Sequence, residues 1–161
     1  MVISRKNTER RHFTYTQTIH ADPEKIFPLI CPVKEAEWLD NWAYDLHFSE
    51  SGSAEKGCTF STSHNGRKND TLWYISEYDS KNMRINFVYF IPNIRITDIQ
   101  LIIKALDKSC SNVFIDYTHT SVSPEGDKNV AAMTEPDFIK HMKLWEDSVN
   151  HYLKTGTKLK V

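Results

Sequence analysis

"TEPDFIKHMKLWEDSVNHYLKTG", residues 134–156, is the stretch on which the fold turns. Phe138, Met142, Trp145, Val149 and Tyr152 recur at helical spacing and lay one apolar stripe along it. Thr134 with Asp137 has the form of a capping box, and Gly156 stands where a helix would end. A helix over 135–155 measures about 31 Å, enough to cross a whole small sheet. Such a helix needs a broad apolar partner.

The residues upstream supply one. "HFTYTQTIHA" (12–21) alternates Phe13, Tyr15 and Ile19 against Thr14, Thr16 and Thr18, the period of a strand. In "DPEKIF" Asp22 is a good N-cap and Pro23 suits a first helical position, while Pro28 keeps that helix short or distorted. Pro32 opens a second short helical segment, "PVKEAEWLDNW". From there the text is strands and tight turns, read as 44–51, 57–64, 70–79, 83–91, 95–107 and 111–122. The connections "SGSAEKG", "HNGRKND", "DSKN", "IPN" and "DKSCS" carry turn chemistry. Short links between sequential strands imply an antiparallel meander. The expected fold is α+β: a seven-stranded antiparallel sheet curved around one long C-terminal helix, with two short helices between the first and second strands. One helix covers such a sheet only in part, and the gap left between them is a pocket.

The same pieces carry a family resemblance. "IHADPEKIFPLI", "EWLDNW", "TLWYISEYD", "DYTHTSVSPEG" and "FIKHMKLWEDSVNHYLKTG" together resemble the helix-grip superfamily called SRPBCC. That superfamily takes in START lipid-transfer domains, pollen-allergen-like proteins, polyketide cyclases and Aha-type co-chaperone domains. The likeness spans about residues 12–156 and is nearest to polyketide-cyclase-like members. It implies an internal cavity for a hydrophobic or amphipathic small molecule. It does not choose an activity, because this fold hosts many.

Composition narrows the partners. Twenty Lys and Arg against 21 Asp and Glu leave a formal charge of −1, so nothing recommends nucleic acid. No apolar run approaches the length of a membrane span, and no apolar signal segment is visible near residue 1. The reading is one cytoplasmic domain over 1–161, with 1–11 a loosely ordered leader and the chain a monomer or homodimer. Cys31, Cys58 and Cys110 are odd in number and far apart, which fits buried free thiols. His141 and His151 are not at metal-pair spacing and no zinc motif is present, so neither metal nor cofactor is expected.

Strand parity then places the candidate site. Val113, Ile115, Tyr117, His119 and Ser121 share one side of the seventh strand, assigned to the concave face. Ile85, Phe87, Tyr89 and Ile91 do so in the fifth, and Ile99, Leu101, Ile103 and Ala105 in the sixth. In the fourth, Trp73 and Ile75 point inward and drag Glu77 with them as a candidate acid. The cavity wall is therefore Trp73, Tyr89, Leu101, Ile103, Tyr117, His119, Met142 and Trp145, with His141 flanking. Trp38 and Trp42, four apart in the second short helix, either plug the core or form the lip of the pocket. Glu35, Glu37, Asp40 and Asp45 fall around several faces of that helix and are read as solvated.

The leading expectation is binding of a small hydrophobic ligand, driven mostly by apolar burial at about 25 cal/mol per Å² before ordering costs. The alternative is a cyclase- or dehydratase-like enzyme. There His119 would act as general acid or base, with Tyr117 or Tyr89 polarising a carbonyl. A second titratable group bonded to His119 would favour that alternative. An Aha-type interaction module would need a large exposed apolar patch, which the sequence does not obviously supply.

Overall fold

A computed structural model describes residues 8–64 and 67–161. The chain runs β1 (Arg10–Ile19), α1 (Pro23–Ile26), α2 (Pro32–Trp38), β2 (Tyr44–Phe48), β3 (Thr59–His64) and β4 (Arg67–Asp79). It continues through β5 (Arg84–Ile91), β6 (Arg95–Ala105), β7 (Ser111–Ser121), α3 (Pro124–Ala131) and α4 (Glu135–Thr155). The strands make one antiparallel sheet in the order β1-β7-β6-β5-β4-β3-β2. This is the helix-grip arrangement, with β1 and β2 at opposite edges. The α1–α2 segment must therefore cross the full width of the sheet. The expected leader overlaps β1 at Arg10 and Arg11, and residues 1–7 lie outside the described residues, as do Asn65 and Gly66 of the expected turn sequence "HNGRKND".

Helix α4 is capped as its sequence indicates: Thr134 Oγ1 accepts from Asp137 N, and Gly156 closes the helix at φ 71°. Met142 and Val149 are buried against the sheet. Polar side chains tie the helix to edge strand β1. Glu146 accepts from Tyr15 Oη and from Thr18 N, both at 3.0 Å. Asn150 accepts from His20 N and donates to Thr18 O, both at 2.9 Å. These bonds occupy edge groups of β1 that would otherwise be free to pair with another strand.

Three local features depart from the sequence reading. Helix α2 ends at Trp38, because Leu39 is already extended and Asn41 turns the chain at φ 59°. Trp38 and Trp42 are therefore not neighbours on one helix. In β4 a bulge between Ile75 and Glu77 breaks the alternation. Tyr78 rather than Glu77 then packs on the core, and Glu77 faces out opposite Asn86, 3.9 Å from Arg84. A bulge shifts every later side chain to the other face, so the inward assignment of Glu77 is corrected.

The third departure is helix α3, which follows β7 directly. Ser123 caps it by accepting from Gly126 N at 2.9 Å, with Pro124 in the first turn. It lies so close to the β5–β6 turn that a Cβ on Gly126 would stand 1.9 Å from the Ile94 carbonyl oxygen. Only glycine fits there.

On the convex face Leu72 stands opposite Phe90, and Phe90 opposite Ile96, at 47%, 37% and 39% exposure. The sheet thus carries an exposed apolar row that the sequence reading did not find. Among the described residues no helix is long and apolar enough to cross a membrane, and the three cysteines are free, Cys110 only partly buried.

Candidate functional site

Alternation in five strands builds one concave row. Phe60, Trp73, Tyr89, Thr97 and His119 stand opposite one another in turn across β3 to β7. Phe60 and Trp73 stack at 5.4 Å between ring centroids, and Trp73 meets Tyr89 at 4.5 Å. Between this row and α4 lies a cavity of about 680 Å³. Of the residues expected in its wall, Trp42, Trp73, Tyr89, Tyr117, His119 and Trp145 line it, with His141 beside them. The size suits a small organic ligand.

The remaining expected residues lie elsewhere. Leu101, Met142 and Trp38 line a second, inner chamber of about 30 Å³, which shares Tyr117 and Trp145 with the outer cavity. Trp38 is 1% exposed, donates to the Leu29 carbonyl at 2.9 Å, and meets Trp145 edge-on at 5.6 Å. It closes the core; Trp42, which donates to the Pro32 carbonyl, is the tryptophan at the outer cavity. Ile103 is buried core and lines neither space.

At the outer end the polar groups converge on Arg95, the first residue of β6. It is 6% exposed, yet no carboxylate reaches it among the described residues. Its Nη1 donates to Asn129 Oδ1 on α3 and its Nη2 to Tyr89 Oη at 3.3 Å, while Nε has no partner. A guanidinium cannot shed its charge, so burial leaves it cationic and short of acceptors.

His119 sits nearby, 6% exposed, its Nδ1 2.8 Å from the hydroxyl of fully buried Thr97. Burial, and then the Arg95 charge, push its pKa down to about 4, so the imidazole is neutral at pH 7. Its bonded partner is a hydroxyl, not a titratable group.

The inner chamber holds the largest departure from the sequence reading. Glu35 was expected on a solvated surface; it is 4% exposed and lines the chamber. The cause is its position three residues before Trp38: on a helix those two share a face, and burying the indole carries the carboxyl inside. Among the described residues no side-chain hydrogen bond or ion pair reaches it, and burial pushes its pKa up to about 8. Beside it, the Tyr117 phenol is also pushed up, by burial and then by Tyr89 and Glu35. The other three carboxylates of that stretch are on or near the surface: Glu37 holds Lys34 and Tyr152, Asp40 holds Lys160, and Asp45 is exposed.

Arg95, Thr97 and Asn129 were not singled out from the sequence. The parity that places Ile99 inside also places Arg95 and Thr97 inside, so two of the three were within reach. Among the described residues no group of His, Cys, Asp and Glu could hold a metal ion.

Solved structures share this architecture. The chain is similar to norcoclaurine synthase from Thalictrum flavum, a structure with dopamine and hydroxybenzaldehyde, at TM-score 0.66 and 11% identity over 95% of each chain. It is similar to the Zhui aromatase/cyclase from Streptomyces sp. R1128, at TM-score 0.65 and 9% identity over 94% of this chain and 100% of that one. A hypothetical protein from Helicobacter pylori gives TM-score 0.70 and 10% identity over 88% and 87%. The chain thus has the same helix-grip fold as these structures. No family model and no curated protein matches the sequence.

Proposed function

We propose that the chain binds a small amphipathic molecule in the outer cavity, its apolar or aromatic body against Trp42, Trp73 and Trp145 and an anionic or electron-rich oxygen at Arg95. The observation that carries this reading is the buried Arg95, short of acceptors and unmatched by a carboxylate among the described residues. An incoming oxygen anion offsets the cost of that buried charge through charge-assisted hydrogen bonds. Tyr89, already accepting from Arg95, has its own O–H free to donate to the same oxygen. The named ligands of the norcoclaurine synthase structure, an aromatic amine and an aromatic aldehyde, fit the same general size class.

A cyclase- or dehydratase-like reaction, with His119 exchanging a proton and Tyr89 or Tyr117 polarising a carbonyl, is the second reading. The aromatase/cyclase neighbour favours it. A His119 neutral far below pH 7 and bonded to Thr97 makes a weak base and no general acid, so binding stands first.

The test is a tryptophan-fluorescence titration with 2-naphthoate, an aromatic body carrying one carboxylate. Saturable binding by the wild type, weakened in Arg95→Met, is expected. Absence of binding, or equal affinity in the two proteins, would overturn the reading.

A further inference from the structure

The inner chamber poses a separate question. A carboxyl on α2 has been carried into the interior, where it meets neither a cation nor a hydrogen-bond donor among the described residues. The chamber around it is walled by Ile19, Leu29, Leu101, Ile115, Met142 and Val149. Its polar lining consists of Glu35, Gln17 and Tyr117. Gln17 already uses its amide nitrogen on the Met142 carbonyl at 2.9 Å, which leaves its Oε1 as an acceptor. Once Glu35 ionises, its two oxygens and Gln17 Oε1 give the chamber three acceptors against one donor, the Tyr117 O–H. A volume of about 30 Å³ takes a group or two of water size, not a ring. Tyr117 and Trp145 line both spaces, so these two side chains stand at the boundary between the outer cavity and the chamber.

We propose that the inner chamber is a head-group subsite for a primary amine, whose alkyl stem passes between Tyr117 and Trp145 and whose ammonium pairs with the Glu35 carboxylate. An ammonium is small and carries three donors, which matches two Glu35 oxygens and Gln17 Oε1. A hydroxyl brings a single donor and no charge. The pair forms in a low-dielectric setting where Coulomb attraction is strong. Protons balance as follows: the amine arrives as ammonium, Glu35 gives up its proton to solvent, and one proton is released for each ligand bound. Glu35 and Tyr117 are the titratable side chains of the lining, and Tyr117 keeps its proton throughout the range concerned.

This inference rests on the outer cavity being a ligand site, and its test is chosen to fail separately from that reading. Hexylamine and hexan-1-ol are titrated by calorimetry into wild type and Glu35→Gln at pH 7, in two buffers of different ionisation enthalpy. Hexylamine is expected to bind the wild type about tenfold or more tighter than the variant, with about one proton released. Hexan-1-ol should bind both within about twofold. In the wild type alone, hexylamine affinity should rise about tenfold per pH unit from pH 6 toward pH 8 and then level off, which needs no variant. Equal hexylamine affinity in both proteins, no hexylamine binding, or binding without proton release would overturn the subsite. Loss of 2-naphthoate binding would instead remove the outer-cavity reading.

Discussion

The two ends of the interior bury opposite chemistries and handle them in opposite ways. At the outer end Arg95 stays charged, because no protein environment removes its proton, and it is held by Asn129 and the Tyr89 hydroxyl. At the inner end Glu35 has no hydrogen-bond or ion-pair partner among the described residues and takes a proton instead, which is what a pKa near 8 means at neutral pH. A guanidinium must be accommodated by acceptors; a carboxyl can be neutralised. Each end therefore asks something different of a ligand, an acceptor at Arg95 and a donor at Glu35.

The sharpest way to break this contrast is Glu35→Gln. Burial raises the native pKa of Glu35 from 4.5 to about 8. The stability tied to its neutral form is full below pH 4.5 and is lost as pH rises through 8. Glutamine stays neutral at every pH. The variant should therefore match the wild type near pH 4 and exceed it by about 3 to 5 kcal/mol at pH 8.5, read by urea unfolding. A constant difference across pH would mean that Glu35 is ionised in the native state.

His119 gives the mirror-image effect. Its native pKa is depressed to about 4, so the unfolded chain takes up a proton first as pH falls below 6.5. The His119 contribution should fall by about 3 kcal/mol between pH 6.5 and 4, against the gain that Glu35 gives down to pH 4.5, and is read as the difference in pH slope between wild type and His119→Asn. An unchanged slope would place the acid sensitivity elsewhere.

Arg95→Met is next in size. It should weaken 2-naphthoate about tenfold or more while leaving the unfolding midpoint unchanged or higher, because a buried cation with no counter-charge among the described residues is replaced by an apolar side chain. Glu77→Ala should be smallest. With Glu77 on the outer face beside Arg84, the change should be under about 1 kcal/mol with no effect on 2-naphthoate. A large loss of binding there would return Glu77 to the cavity.

The antiparallel strands and the long helix were legible because their signals repeat: period two over many strands, one apolar stripe, and caps at both ends of α4. Parity put Tyr89, Tyr117 and His119 on the concave side where they line the cavity, but it could not separate cavity from core, and Ile103 fell in the core. It failed at Glu77, where one extra residue in β4 reversed the faces with no glycine or proline to announce it. Ser123-Pro124-Glu125 was a readable helix start, and passing over it hid Asn129 and so the support of Arg95. Glu35 was hidden for a deeper reason. A seven-residue helix is too short for its own pattern to fix which face is buried, and the Trp38 anchor decided the matter through tertiary packing. The exposed row Leu72, Phe90 and Ile96 was likewise invisible until register set the three side by side.

The contrast between the two ends turns on the protonation state of Glu35. A carbon-13 NMR titration of its side-chain carboxyl in the ligand-free protein measures that state. A midpoint near pH 8, moving lower when hexylamine is added, is the expected result. A midpoint between about 4 and 5, the ordinary range of a solvated glutamate, would contradict it.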